Sequence, residues 1–135
     1  MTEADLAHVR EAVLAFDVQE GSLEDYYGRF WAPDGQIDFV DGFPISGSYR
    51  GLAGFKQWFA DSYAPYEDVV RRLDSLEAIG ERVVSLLTVT GRPKGEDIDL
   101  EVQVGNTYEV EGGRITHLRV YVGHERARQA AREGG

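Results

Sequence analysis

The sequence predicts an α+β domain in which a strongly curved, mainly antiparallel (mixed) sheet carries three N-terminal helices on its concave face, the two layers enclosing a cone. Three observations carry this. Helical periodicity fills the first half of the chain and runs of β-branched residues the second. Turn signals at Gly80-Glu81, 91–95 and Gly112-Gly113 divide the second half into four long strands, as in an antiparallel meander. A few long strands must also coil strongly if three helices are to cover one side. At 135 residues with 42% hydrophobic side chains the chain suits one core, so 1–135 is read as a single domain with 124–135 as a terminal helix or tail.

Thr2 can cap a first helix in which Leu6, Val9, Val13 and Phe16 form one stripe, running to about residue 18. Gly21 and Ser22 break and restart the chain. Leu23, Tyr26, Tyr27, Phe30 and Trp31 then follow at the spacings of a short amphipathic helix. After a Pro33-Asp34-Gly35 turn, residues 36–40 alternate like a short strand, and 41–48 read as a Gly, Pro and Ser loop. Leu52, Phe55, Phe59 and Tyr63 mark the inner face of a third helix, Gly51–Tyr63, stopped by Pro65. Extended structure starts from Val69. In its clearest strand, 98–108, Ile98, Leu100, Val102, Val104, Asn106 and Tyr108 share one face, and Asp99, Glu101 and Gln103 the other. Residues 124–132 suggest a terminal helix whose only apolar residues are alanines, so the last few residues are expected to fray.

Composition narrows the function classes. A net charge of −10 repels phosphate backbones and anionic lipids, so neither nucleic acid nor a membrane surface is an expected partner. The scattered acidic residues read as a solvated surface. The first residues lack the basic start and apolar run of a signal peptide, and no stretch is apolar enough to span a bilayer, so a cytoplasmic, bacterial location is expected. Without cysteine there are no disulfides, thiolate metal sites or cysteine nucleophiles. No His, Asp or Glu spacing resembles a metal site and no glycine pattern a phosphate loop, so neither metal nor cofactor is expected.

The wide end of such a cone can open into a small-molecule site lined by Phe39, Phe55, Phe59, Tyr63, Val104, Tyr108, Leu118 and Val120, with no cation to hold an anion. Two polar residues stand out. Asp41 shares the strand parity of Ile37 and Phe39; carried inward, apolar surroundings would raise its pKa toward that of a useful base, whereas at the surface it would cap the Asp41-Gly42 turn. Asp38, of opposite parity, is expected outside. Asn106 is the lone amide on an apolar strand face and must find a partner, either a ligand carbonyl or a neighbouring helix or water. His117 alternates with Leu118 and Val120 and is expected to face out, exposed or at an interface. Trp31 and Trp58 are expected to pack the core or rim.

The segments 27–34 (YGRFWAPD), 49–59 (YRGLAGFKQWF), 105–113 (GNTYEVEGG) and 114–122 (RITHLRVYV), in this order and spacing, resemble the SnoaL-like and ketosteroid-isomerase-like branch of the nuclear transport factor 2-like superfamily over nearly the whole chain. Ketosteroid isomerase sets a carboxylate base against an oxyanion hole of a tyrosine and a protonated aspartate. The resemblance puts the protonated acid at Asn106, the tyrosine at about Leu14, and the base near Phe39 or at Asp41, so the set is incomplete. Val120 stands where the epoxide-hydrolase branch needs an aspartate, which argues against that mechanism.

The resemblance therefore implies a cofactor-independent acid–base enzyme, an isomerase, cyclase or dehydratase acting on a small hydrophobic carbonyl compound of polyketide or steroid type. Its catalytic pair would be Asp41 and Asn106. A non-catalytic binder of such a ligand, or a dimerisation and assembly domain, are the competing expectations. The family's habit, together with the outward Thr116 and Tyr121 of a sheet covered on one face only, suggests a homodimer.

Overall fold

The computed structural model describes residues 2–17, 22–40 and 47–134. The chain runs α1 (Glu3–Asp17), α2 (Leu23–Phe30), β1 (Trp31–Phe39), β2 (Gly47–Arg50), α3 (Gly51–Tyr63), β3 (Tyr66–Ile79), β4 (Arg82–Pro93), β5 (Leu100–Glu111), β6 (Arg114–Val122) and α4 (His124–Arg132). One six-stranded sheet has the order β2-β1-β6-β5-β4-β3. The expected meander is present, with β3, β4, β5 and β6 pairing antiparallel in sequence order. The sheet is mixed because β1 lies parallel to β6, with Ile37 beside Leu118 and Phe39 beside Val120.

Residue types explain most boundaries. The Ser22 hydroxyl accepts from the Asp25 N–H and starts α2. That helix ends at Phe30, one residue before the periodic pattern suggested, because Trp31 is already extended and pairs with Ile115. The expected Pro33-Asp34-Gly35 turn is instead an irregularity inside one long strand, where the register on β6 shifts between Trp31 and Gln36. Gly35 is required there. A Cβ would sit 2.6 Å from the Trp31 ring, and the Gly35 N–H donates to the Tyr27 hydroxyl at 3.1 Å. Ser48, read as loop, belongs to β2 and pairs with Asp38. In β5 the ladder starts at Leu100, leaving Ile98 outside it and exposed.

The main core fills the concave side, where Val9 and Val13 of α1, Tyr27 and Phe30 of α2 and Phe55 of α3 meet Ile37, Val83, Leu87, Tyr108, Ile115 and Leu118 of the sheet. Burying an aliphatic or aromatic side chain contributes about 1.5–3 kcal/mol, so this cluster is the main source of stability. A second cluster occupies the opposite face. Ala127, Ala130 and Ala131 of α4 pack on Val84, Leu86 and Tyr121, and all six are buried.

The alanines, a weak signal in the sequence, are what let this helix lie close against the sheet. Gly105 matches them from below: a Cβ there would stand 2.4 Å from that of Ala127. Tyr121, expected on an open dimer face, is 4% exposed beneath α4, with the Arg126 guanidinium 5.5 Å from its ring centroid. The Thr116 hydroxyl donates to the Glu109 carbonyl at 3.2 Å.

Beyond α4 the outer face of β1, β5 and β6 carries a polar network. Asp38 accepts from Gln36, from Ser48 and, at 2.5 Å, from His117 Nε2, while His117 Nδ1 lies 3.2 Å from Glu109, which also holds Arg119 at 3.0 Å. His117 does face outward, as expected, but its side chain is only 19% exposed and that of Asp38 23%. Both are fastened into this network rather than solvated. Burial pushes the Asp38 carboxyl up, but the hydrogen bonds from Gln36, Ser48 and His117 and the charge of His117 outweigh it and hold the carboxyl below its usual range.

Candidate functional site: a deep apolar cavity

Inside the cone lies a cavity of about 640 Å³, within the 300–1,000 Å³ range of small-molecule sites. The period-two alternation of the strands builds its sheet wall from Phe39, Val104, Asn106, Tyr108, Leu118 and Val120, all assigned to it from sequence. From α3 come the expected Phe55 and Tyr63. Phe59 is not in this lining. It turns toward Phe16 of α1, ring centroids 5.9 Å apart, and lines a neighbouring cleft with Tyr66 and Arg71; Trp58 takes the inner place on α3.

The cavity has a deep end and a mouth. At the deep end Trp31 stacks on Tyr27 at 5.7 Å and meets Phe55 edge-on at the same separation. At the mouth lies the start of β5, where Leu100, a lining residue, is 49% exposed. Positions 100 and 106 are six steps apart on one strand, roughly 20 Å at about 3.3 Å per residue.

Asn106 stands near the deep end and is 5% exposed. Its Nδ2 donates to the Ser85 hydroxyl at 3.2 Å, and that hydroxyl donates to the Tyr108 hydroxyl at 3.4 Å. Its Oδ1 has no protein partner, an unfavourable state for a buried carbonyl oxygen. Because the serine hydroxyl can accept or donate, the carboxamide keeps this bond when turned end for end. A ligand would meet an acceptor in one orientation and N–H donors in the other.

Asp41, the sequence-derived base, lies outside the described residues. Leu14, where the resemblance looked for a tyrosine, is 47% exposed. Two nearby tyrosines are tied to backbone, Tyr26 donating to the Ala12 carbonyl at 2.5 Å and the Tyr27 hydroxyl accepting from Gly35. Burial, with the charge of Asp34, pushes the Tyr27 hydroxyl above its usual range, against the smaller effect of the Gly35 N–H.

Charged residues of the described lining belong to the mouth. Asp61, near the end of α3, accepts from Tyr49 at 2.9 Å and from Gln57 at 2.7 Å, and Glu101 follows Leu100. Arg71 also lines the cavity, its guanidinium 4.7 Å from the Phe16 ring centroid, so the expectation of a lining without a cation is corrected. Sequence reading missed Ser62, Asp61 and Arg71 because polar and charged side chains in a helix or strand are ordinarily solvated. Among the described residues no three His, Asp or Glu side chains are grouped as a metal ion would need, and no helix is long and apolar enough to cross a membrane.

Comparison with known proteins places this geometry. The family model for the SnoaL-like domain matches residues 9–118. No curated protein matches the chain. Among solved structures it is similar to an NTF2-like protein of unknown function from Burkholderia pseudomallei, with 18% identity and a TM-score of 0.75 over 93% of this chain and 95% of that one. It is similar to a putative SnoaL-like polyketide cyclase from Jannaschia sp., with 15% identity and a TM-score of 0.70 over 100% and 97% of the two chains. It also resembles TerC co-crystallised with polyporic acid, with 15% identity and a TM-score of 0.74 over 97% and 99%. At these identities the likeness is one of fold.

Proposed function

The chain belongs to the SnoaL-like domain family, and from that premise we propose that it is an acid–base enzyme acting on a small, mostly apolar carbonyl compound of polyketide type. The observation that carries this reading is the buried Asn106 carboxamide, anchored to Ser85 and lacking a protein partner at Oδ1, on the mainly apolar sheet wall of the cavity. Turned with its N–H groups inward, it polarises a substrate carbonyl and stabilises the oxyanion that forms when a neighbouring proton leaves. Besides this donor such chemistry needs a base to take the proton, the role that the sequence reading gives to Asp41. That a putative polyketide cyclase and a protein co-crystallised with polyporic acid share the fold is in keeping with a carbonyl-bearing ligand.

One observation favours a second reading, a protein that holds such a ligand without converting it. The carboxylates of the described lining, Asp61 and Glu101, stand at the mouth rather than beside Asn106. Deuterium exchange separates the two. A panel of cyclic ketones and β-dicarbonyl aromatics is incubated with the protein in D₂O and read by mass spectrometry. The enzyme exchanges the proton α to the carbonyl of at least one bound compound, and Asn106→Leu slows that exchange by roughly 10²–10³. Binding without exchange establishes the second reading; exchange unaffected by Asn106→Leu removes the amide from the mechanism.

A further inference from the structure

Three buried side-chain atoms among the described residues lack a hydrogen-bond partner, and two of them, Asn106 Oδ1 and Ser62 Oγ, belong to residues lining the cavity. Leaving a polar atom buried and unpaired costs on the order of 1–3 kcal/mol. Two such atoms around one apolar chamber are most simply explained by a ligand that satisfies both.

Their places in the fold set the ligand's shape. Asn106 is midway along β5, opposite Ser85 of β4 and Val120 of β6, where the sheet is fully covered. Ser62 is on the other wall, in the last turn of α3. That helix leads through Pro65 directly into Tyr66, which pairs with Pro93 at the Leu100 end of the sheet. The two atoms thus belong to opposite walls and to opposite ends. Asp61 and Arg71 add polarity at the Ser62 end, whereas the walls between are aromatic and aliphatic.

We infer that the ligand is elongated and polar at both ends, with one hydroxyl or carbonyl meeting Asn106 in the depth, a second meeting Ser62 at the mouth, and a rigid apolar body of two or three rings between them. This rests on the reading of the cavity as the substrate site and adds the second polar group and its position. Both atoms are closed off by the surrounding protein, so a ligand meets them as the side chains turn, the Ser62 hydroxyl then donating or accepting.

A probe series tests this without the natural substrate. Biphenyl, 4-hydroxybiphenyl and 4,4′-dihydroxybiphenyl differ only in how many ends are polar, and their Kd values are measured by calorimetric titration. Each hydroxyl should tighten binding by roughly two- to tenfold, the range of a net neutral hydrogen bond. Ser62→Ala should abolish the gain from the second hydroxyl and keep that from the first; Asn106→Leu should remove one increment and leave the Ser62 increment in place. Equal affinity of the one- and two-hydroxyl probes for the unmutated protein overturns the inference while leaving the cavity reading intact. So does a second increment that survives Ser62→Ala. Failure of all three probes to bind the folded protein sinks the cavity reading itself.

Discussion

Gly105→Ala is the smallest change that should separate the outer helix from the sheet. The added Cβ would lie 2.4 Å from the Ala127 Cβ and 3.0 Å from the Gly123 carbonyl oxygen. Carbon atoms prefer about 3.5–4.0 Å, so α4 would have to retreat by roughly 1 Å. Neither neighbour is the end of a flexible side chain. One is a methyl fixed to the helix axis and the other is backbone, so the strain cannot be relieved by a rotamer change. Overpacking of this kind costs about 1–3 kcal/mol. Unfolding entropy of about 2.1 cal/mol/K per residue then converts this, for a chain of 135 residues, into a Tm lower by roughly 4–10 °C. Circular-dichroism melts would measure the shift, and amide hydrogen exchange should show lost protection in 124–132 while β3 and β4 keep theirs. Adding Ala127→Gly removes the closest clash, so the double variant should lose less than the sum of the two single losses. An unchanged Tm with full protection of α4 would refute the proposed close approach of helix and sheet.

Two further outcomes follow from polar contacts of the outer face. The folded Asp38 carboxyl is held below its unfolded value of about 3.9, so its contribution to stability is present above that pH and is lost as pH falls through the folded value. Asp38→Asn should therefore lower the Tm at pH 7, and melts at decreasing pH should show the gap to the unmutated protein closing below about pH 4. His124 Nε2 donates to the Leu87 carbonyl at 2.9 Å, close to the register shift between Leu73 and Ser75. His124→Ala removes that hydrogen bond and should cost about 0.5–1.5 kcal/mol by urea denaturation, with no effect on the cavity ligand.

The elements that could be read from sequence are those whose periodicity was imposed by a single buried face. The strand carrying Leu100, Val102, Val104, Asn106 and Tyr108 alternates because only one side meets the cavity, and all five line it. Reading failed where the outcome was decided by contacts distant in sequence. The Pro33-Asp34-Gly35 segment carries every local mark of a turn, yet Tyr27 and the parallel neighbour β6 hold it extended. The alanines of α4 offered no hydrophobic signal, since their partner is the space above Gly105. Asn106 was legible as a lone amide on an apolar face; Ser62 was not, because a serine near a helix end is ordinarily solvated, and only the folded chain shows its hydroxyl buried.

The chain has two tryptophans, and both line the cavity, Trp31 buried against Tyr27 at its deep end and Trp58 half-buried on α3. The protein is therefore its own optical sensor. No indole elsewhere contributes background, so a change of tryptophan emission, excited at wavelengths that the seven tyrosines do not absorb, reports on the cavity wall. Replacing Trp58 by Phe leaves a signal from the deep end alone. Occupancy can thus be followed in unlabelled protein during a search for the natural ligand, at concentrations where a weak heat of binding would be lost.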